Sequence, residues 1–397
     1  MRAGLLAVVV GGILLGCGGG ATDASPDPLV PGGSGGSGGP GGAGGTGGTG
    51  GAGGTGGSGG QGGSGGAWEW PGGLPPGDTS AAWTNVVPPE ALPDPGAWAL
   101  SVTPEGEIWI GTSAGLVLRT PDGKLRRFTT DDGLASNEIV AVAGRAPGEV
   151  FVGYGYQGHD LGWLRIGTDG AATVSHHVIS DLSMGEPIHE VFRIVVDRRP
   201  GRTDHVWLGT NEVIALFLGS DPVLQHRHPR HPHGSAWGLA VDHAGSVWEG
   251  DMHQLARLSY EQTNDFFTAQ WTVVKNLWGT PEETDDNFDL AVDAQGRVYA
   301  ASLGRGLARY DPADASVDHF LPPLIPGRAL RAVRVAPDGT VWVGDQDLGL
   351  GALREEGTTF HNPTGTLGAS SIRAIEIGAD GTVYVATERG VWSLPAP

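Results

Sequence analysis

One short hydrophobic pattern occurs seven times along the chain at a nearly regular interval. Its first copy reads Glu107-Ile108-Trp109-Ile110-Gly111-Thr112, an aromatic residue flanked by aliphatic residues and followed by glycine. The aromatic residues are 41 to 56 positions apart, and short strands repeated at this period are typical of a β-propeller. We call these aromatic residues the anchors: Trp109, Phe151, Trp207, Trp248, Tyr299, Trp342 and Tyr384. Seven anchors predict an all-β, seven-bladed β-propeller with four-stranded antiparallel blades.

The two ends of this repeat region predict how the ring closes. The last blade contains three strands, around Ile372–Ile377, Val383–Thr387 and Gly390–Leu394. Residues 81–88 supply a matching outer strand, because Ala-Ala-Trp-Thr-Asn-Val-Val resembles Gln-Trp-Thr-Val-Val at 270–274. We therefore expect an N-terminal strand to close the last blade, which removes an open sheet edge.

The N-terminal residues have the features of an exported lipoprotein. Arg2 precedes an apolar run over residues 5–15, too short to span a bilayer, which favours a signal peptide over residues 1–16. The segment Leu14-Leu15-Gly16-Cys17 resembles a bacterial lipobox, and this resemblance implies cleavage before Cys17 and diacylation of its thiol. In such lipoproteins, Gly18 after the cysteine implies an outer-membrane anchor. The alternative is an ordinary signal peptide with an incidental cysteine.

Residues 17–77 are predicted to form the lipidated cysteine and a disordered linker, and residues 78–397 the propeller domain. Residues 31–66 run as Gly-Gly-X with small or polar residues between the glycines, a composition that cannot form a hydrophobic core. A collagen helix needs abundant proline, and only Pro31 and Pro40 occur in this stretch. A flexible tether between the lipid anchor and the propeller is therefore expected.

The first blade resembles a known sensory repeat. Gly115-Leu116 follows its anchor strand, and residues 128–137 read Phe-Thr-Thr-Asp-Asp-Gly-Leu-Ala-Ser-Asn. Together with the anchor pattern, these segments resemble the two-component regulator propeller repeat, an extracytoplasmic sensory repeat of bacterial hybrid kinases. The resemblance covers residues 83–394, although only blade 1 carries the full motif and the other blades keep the anchor. It implies a propeller that recognises a ligand outside the cytoplasm.

A break in the repeat pattern indicates a candidate ligand site. Glu249 follows the anchor of blade 4, where the other blades have an aliphatic residue or alanine. A buried carboxylate is costly unless it is paired or hydrogen-bonded. With Asp251 and His253 it is predicted to lie at the channel mouth, a usual place for a propeller ligand. The alternative is a solvated or ion-paired side chain. Five further candidates are expected on this rim: Asp345, Glu388, Arg389, His189 and Glu190.

Four histidines in eight residues form a second candidate site, for a divalent metal ion. Neutral imidazoles at this spacing can bind Zn²⁺ or Ni²⁺, and the intervening prolines favour an extended segment. Arginines between the histidines repel a cation, however, so adventitious binding or none is the alternative. No other cofactor is indicated. The four histidines are His226, His228, His231 and His233.

The sequence favours a binding module over an enzyme. The net charge of −20 argues against nucleic-acid binding, which requires clustered Lys and Arg. The leading hypothesis is a non-catalytic, outer-membrane-anchored propeller that binds a glycan, a peptide or a protein at its rim. The alternative is a hydrolase or lyase that uses rim carboxylates and histidine, similar to the streptogramin lyases. Only Ala386-Thr387-Glu388 resembles those enzymes, and no His–Glu–His set is identified.

Overall fold

The fold is a closed ring of seven four-stranded antiparallel sheets, as predicted. The computed structural model describes residues 70, 74–94, 96–155, 160–178, 190–202, 204–211, 214–219, 224–225, 235–251, 254–279 and 287–396. The predicted signal peptide, Cys17, the glycine-rich linker and the four clustered histidines lie outside these residues. Among the residues described, no helix has the length and apolar character needed to cross a bilayer.

Each blade runs from an inner strand at the central channel to an outer strand at the circumference. The inner strands are β2 (Ala99–Val102), β6 (Ile139–Ala146), β10 (Val191–Val196), β14 (Gly238–Val241), β18 (Asn287–Val292), β22 (Leu330–Val335) and β26 (Ile372–Ile377). The anchor strands are β3 (Ile108–Thr112), β7 (Glu149–Tyr154), β11 (His205–Thr210), β15 (Val247–Gly250), β19 (Val298–Ser302), β23 (Val341–Asp345) and β27 (Val383–Thr387). Neighbouring inner strands contact each other around the ring, including β26 with β2.

The third and outer strands complete the blades. The third strands are β4 (Gly115–Arg119), β8 (Asp160–Ile166), β12 (Ile214–Leu218), β16 (Leu255–Leu258), β20 (Gly306–Asp311), β24 (Leu350–Arg354) and β28 (Gly390–Leu394). The outer strands are β5 (Leu125–Phe128), β9 (Ala172–Val178), β13 (Leu224–Gln225), β17 (Trp271–Val274), β21 (Ser316–Phe320), β25 (Gly357–His361) and β1 (Thr84–Val87). The short helical pieces are α1 (Tyr260–Thr263) and two 3-10 turns, Pro89–Ala91 and Thr130–Asp132.

The anchors fill the space between neighbouring blades. Trp109 is fully buried and belongs to one apolar cluster with Ile139 and Val150 of the following blade. Trp248 likewise packs with Leu290 and Val298 of blade 5. A large ring suits this position because the wedge-shaped gap between twisted sheets is wide, and burying the ring removes much apolar surface from water.

An N-terminal strand supplies the fourth strand of the last blade. Strand β1 pairs antiparallel with β28, and Thr84 lies opposite Ser393. The residues before it, 70 and 74–83, which we call the approach segment, run along the outside of blade 6. The Asp78 N–H donates to the Phe360 carbonyl at 2.7 Å, and the Trp70 indole N–H donates to the Pro326 carbonyl at 2.9 Å. Among the residues that the structure describes, Trp70 therefore contacts the propeller although it lies within the segment predicted to be linker.

Candidate functional site

The turns after the anchor strands form one rim of the channel, together with the loops that lead into the next inner strand. In each blade the residue after the anchor glycine or alanine occupies the start of such a turn. In blade 7, Thr387 Oγ1 accepts the Arg389 N–H at 3.0 Å and its hydroxyl donates to the Gly390 carbonyl at 2.9 Å. Thr112 makes the corresponding bonds in blade 1. This position is therefore a turn cap built into the repeat.

Asp251 and Asp345, two of the predicted site residues, occupy this capping position. Asp251 Oδ1 accepts the Gln254 N–H at 2.7 Å. Its backbone carbonyl also accepts the N–H of Asn287 at 3.0 Å, which joins the blade 4 turn to the start of the next inner strand. Both aspartates are almost fully buried. Part of their role is thus structural, in a position that threonine or serine fills in other blades.

Two opposing effects act on the ionisation of the Asp345 carboxyl group. Its carboxylate accepts three backbone N–H bonds, from Asp347 at 2.9 Å, Leu348 at 3.0 Å and Ala329 at 3.2 Å. Such bonds favour the ionised form. Burial nevertheless dominates, and it raises the pKa of Asp345 from 3.8 to about 6.

Glu388 and Arg389 lie on the same rim in blade 7. The Glu388 carboxylate accepts the backbone N–H groups of Ser370 and Ser371, both at 3.0 Å, and so holds the loop that enters β26. The Arg389 side chain is exposed. Like Asp345, Glu388 therefore has local structural contacts, whereas Arg389 remains available to a ligand.

Glu249 is buried inside the propeller, with 1% of its surface exposed. It lies opposite Leu239 on β14 and Ala256 on β16. It shares a face of β15 with Val247, which packs in the apolar cluster between blades 3 and 4. The carboxylate is thus at a blade interface rather than on the outer circumference. Glu190 is half-buried at the entry to β10, and His189 and His253 lie outside the described residues.

The buried His361 and Asp345 are expected to make the free energy of unfolding depend on pH in opposite directions. Burial lowers the pKa of His361 from 6.5 to about 4, so its contribution is present above pH 6.5 and is lost as the pH falls towards 4. The raised pKa of Asp345 means that its contribution is complete below pH 3.8 and is lost as the pH rises through about 6. Each contribution is worth about 3 kcal/mol.

Urea unfolding between about pH 4 and pH 7 measures the sum of these two contributions, and two variants separate them. Relative to wild type, His361→Gln should become more stable as the pH falls. Asp345→Asn should show the reverse trend, because only the histidine contribution remains. If both variants keep the wild-type dependence on pH, the two groups do not titrate as inferred.

A second group of side chains meets at the channel mouth, and it comes from the inner strands rather than from the rim turns. Val140, Trp237 and Phe288 form one buried apolar cluster, and Trp98 and Phe192 pack against it. Residues from five successive blades can meet only on the central axis. The ring centroids of Phe192 and Trp237 are 6.5 Å apart, and those of Trp237 and Phe288 are 6.3 Å apart. These side chains form a largely aromatic layer at the central axis, which we call the aromatic floor.

All seven blades contribute to this layer at one repeat position, immediately before the residue that pairs with the anchor glycine or alanine. Blades 6 and 7 place arginine there instead of an apolar residue. The Arg373 guanidinium lies over the Trp98 ring, 3.6 Å from its centroid, a favourable cation–π contact. We call this set the mouth ring: Trp98, Val140, Phe192, Trp237, Phe288, Arg331 and Arg373.

Gly96 leaves room for the Arg373 side chain beside the mouth ring. A Cβ atom on Gly96 would lie only 2.0 Å from Nη1 of Arg373. A larger residue at this position would require the guanidinium to shift. The loop into blade 1 is therefore shaped around the arginine of blade 7.

The mouth ring also has an acidic side. Glu138 and Glu190 immediately precede β6 and β10, at one repeat position, and both are half-buried. Burial raises the pKa of Glu138 above its ordinary value. Blades 2 and 3 therefore place glutamates at the mouth, whereas Arg373 of blade 7, across the ring, brings a half-buried guanidinium group. Arg331 of blade 6 is almost fully buried and donates to Gln346 Oε1 at 3.3 Å. The mouth is polarised, with aromatic surface between the two charged sides.

An ion-pair network lies next to the aromatic floor and joins four inner strands. Asp289 pairs with Arg193 at 3.3 Å and with Arg334 at 2.8 Å, and Arg334 also pairs with Glu376 at 2.9 Å. Burial alone would lower the pKa of Arg334, but the two carboxylates raise it above its ordinary value. We call these four residues the channel network. It connects blades 3, 5, 6 and 7.

The described part of the chain contains no group of three or more His, Cys, Asp or Glu residues placed to hold a metal ion. The predicted histidine cluster at 226–233 lies outside that part. Divalent metal binding there stays a prediction.

Comparison with known proteins identifies the fold. No family model matches the sequence, and no curated protein matches it. The structure is similar to the extracellular domain of BT3049 from B. thetaiotaomicron, a protein described as a hybrid two component system, with a TM-score of 0.62 and 15% identity. The match covers 79% of this chain and 41% of that chain, so this chain spans about two fifths of its relative's length. The predicted resemblance is confirmed at the level of the fold.

Two further solved structures have similar propellers. A streptogramin B lyase gives a TM-score of 0.58 at 11% identity, with 79% of this chain and 96% of that chain covered. YCF48 bound to D1 peptide gives a TM-score of 0.56 at 13% identity, with 81% of this chain and 98% of that chain covered. At these identities the comparisons show a shared scaffold, and function has to be argued from the site.

Sequence reasoning missed the mouth ring, although a signal was present. A large aromatic residue lies at the start of four inner strands. Trp98 and Trp237 immediately precede β2 and β14, and Phe192 and Phe288 are the second residues of β10 and β18. Packing within a blade alone would not require an aromatic residue at the same end of each inner strand. Comparison of the seven inner strands by repeat position would have placed these residues in one layer.

Proposed function

We propose that this protein is a non-catalytic binding module that holds a peptide or protein segment at the mouth of its channel. The polarised mouth ring carries the proposal. Trp98 and Phe192 remain half-buried rather than fully buried, so part of each ring is available for contact. Partly exposed aromatic side chains next to arginine are the residue types that dominate the energy of protein recognition.

The charge distribution favours a peptide over a neutral glycan. A peptide can offer a cationic group to Glu138 and Glu190 and an anionic group to Arg373, with an apolar side chain on the aromatic floor. A neutral sugar would stack on the rings but carries no charge that complements the acidic and basic sides of the mouth. The structurally similar YCF48 was solved with the D1 peptide bound, which shows that a scaffold of this kind accommodates such a ligand.

We further propose that the module acts in the cell envelope, held at the outer membrane by a lipid on Cys17. The lipobox-like segment at 14–17 supports the anchor. The similarity to an extracellular domain of a two component system agrees with a location outside the cytoplasm. The predicted linker, residues 17–77, would separate the propeller from the membrane surface.

Binding at the mouth is tested by alanine substitution in the mouth ring. Peptides selected from a displayed library on the wild-type propeller should bind Trp98→Ala and Phe192→Ala at least tenfold more weakly, because the aromatic contact surface is lost. Arg373→Gln should weaken the acidic members of the set in particular. Calorimetric titration gives each affinity. The control is Leu324→Ala, because Leu324 is exposed and its carbonyl accepts from Thr358 on the outer strand β25 rather than contacting the mouth ring.

Three results would contradict the proposal. Equal losses in Leu324→Ala and Trp98→Ala would show that the effect is not local to the mouth. Selection of glycans but no peptides would move the ligand class to carbohydrate. Chemical turnover of a selected ligand would favour the hydrolase or lyase alternative, for which the streptogramin B lyase shares the scaffold.

A further inference from the structure

Blade 1 has a positively charged outer edge. Residues 119–128, from the end of β4 through β5, contain four cations and one carboxylate, whereas the whole chain has a net charge of −20. The carboxylate, Asp122, pairs with Lys124 at 2.7 Å. Leu125 is 42% exposed among these charges. We call this surface the basic edge: Arg119, Lys124, Leu125, Arg126 and Arg127.

The main chain of the basic edge has hydrogen-bonding groups that face outwards. Strand β5 is the last strand of its sheet and pairs only with β4. The Thr120 N–H donates to the Lys124 carbonyl at 2.9 Å, and hydrogen-bonded pairs alternate along antiparallel strands. The N–H and C=O groups of Leu125 and Arg127 therefore point away from the sheet, and none of the described residues forms a backbone hydrogen bond with them. This edge can accept an added strand.

Two arginines are held in place beside this edge. Arg126 donates to the Gly170 carbonyl at 2.7 Å, and its guanidinium carbon lies 4.6 Å from the centroid of the Phe128 ring. Arg127 donates to the Ala114 carbonyl at 3.0 Å. A guanidinium group has five N–H donors, so each side chain keeps donors for a further acceptor. Because adjacent residues of a strand project to opposite faces, an added strand would meet one arginine on each face.

Protection against edge-to-edge pairing does not by itself explain these charges. Charged side chains commonly guard exposed strand edges, but every blade of the ring has such an edge. The other outer strands that the structure describes, β1, β9, β13, β17, β21 and β25, contain no arginine or lysine. The positive charge is therefore a property of blade 1 and not of the repeat.

We propose that the basic edge binds a short acidic segment of a partner protein as an added β-strand. The partner backbone bonds to Leu125 and Arg127, an apolar side chain packs on Leu125, and carboxylates pair with the cations on both faces. An extended anionic surface fits less well, because the chain is acidic overall and charges interact over about 8 Å at physiological ionic strength. A second copy of β5 would bring like charges together. This surface is independent of the peptide proposed at the mouth.

The pentapeptide Ac-Glu-Glu-Val-Glu-Glu-NH2 tests the proposal, because it can place valine opposite Leu125 with carboxylates on either side. Fluorescence anisotropy of the labelled peptide should show saturable binding to the full-length protein at physiological ionic strength. Hydrogen exchange should become slower at the Leu125 and Arg127 amides, as an added strand requires. The charge-reversed peptide Ac-Lys-Lys-Val-Lys-Lys-NH2 should bind at least tenfold more weakly.

Two further measurements separate strand addition from a contact between charges alone. N-methylation of the central valine removes a main-chain donor without changing the peptide charge, and it should weaken binding at least tenfold. Arg127→Glu, a change at an exposed position, should also weaken binding at least tenfold. Lys275→Glu is the matched control, because Lys275 is exposed directly after the outer strand β17 and undergoes the same change of charge.

The proposal is overturned if the acidic peptide does not bind, if the N-methylated peptide binds equally well, or if Lys275→Glu loses as much affinity as Arg127→Glu. Binding of phosphatidylglycerol vesicles but not of the peptide would overturn it in favour of a lipid surface. A concentration-dependent dimer that Arg127→Glu dissociates, again without peptide binding, would overturn it in favour of a second copy of the chain.

Discussion

Asp289→Asn is expected to lower the free energy of unfolding by about 3–5 kcal/mol, because it leaves two guanidinium groups without their shared partner. The Asp289 side chain is 2% exposed, and those of Arg193 and Arg334 are 20% and 21% exposed. The carboxylate also accepts the Val333 N–H at 3.0 Å. Asparagine keeps one acceptor oxygen but not the charge, so the two arginines would repel each other inside the channel.

Urea-induced unfolding at neutral pH measures this difference. Asp318→Asn is the matched control, because Asp318 also pairs with an arginine, Arg309, but its side chain is 54% exposed. Water screens such a pair, and its loss should cost less than about 1 kcal/mol. If the two variants lose the same amount, the channel network does not stabilise the ring in the way inferred.

Trp83→Ala is expected to lower the free energy of unfolding by about 3–5 kcal/mol, through lost burial and the cavity left behind. Trp83 precedes the closing strand β1 and packs edge-on against Trp342, with ring centroids 6.2 Å apart. Its indole N–H also donates to His361 Nδ1 at 3.3 Å. Loss of this side chain removes the main apolar contact that holds the start of β1 to blade 6.

Thermal and urea unfolding give the overall loss, and hydrogen exchange of the β28 amides shows whether ring closure is the part that weakens. Phe267→Ala, which truncates an aromatic side chain that is 49% exposed, should change stability by less than about 1 kcal/mol. A small loss in Trp83→Ala, with unchanged exchange in β28, would mean that β1 is held by its strand pairing alone.

The fold was predictable because its signals are local and repeated. Each anchor is flanked by similar residues in the sequence. Gly106, Gly339 and Gly381 mark the tight turns before three of the anchor strands. These glycines adopt the left-handed conformation that such turns require, with φ between 81° and 87°. The last blade likewise lacked one strand, and residues 81–88 matched an outer strand that belonged to no other blade. Repetition supplied the evidence that a single strand would not give.

The site was less predictable, because its contacts are distant in sequence. Arg193 and Asp289 are 96 positions apart, and only ring closure at the correct radius brings them together. The prediction at Glu249 followed a broken pattern, and the structure places it at a blade interface. The turn-capping contacts of Asp251 and Asp345 were missed because the seven sequences were aligned on the anchors alone. The next column of that alignment contains threonine, serine or aspartate in six blades and tyrosine in blade 2.

The approach segment also determines how the propeller responds to mechanical load. A force applied through residues before Trp70 acts first on the Trp70 contact and then on the Asp78 contact, one after the other. Strand β1 is loaded only after these have separated, beginning at its Thr84 end. Once released, residues 70–83 could extend to at most roughly 45–50 Å. Extension of this segment is therefore expected to precede separation of β1 from β28.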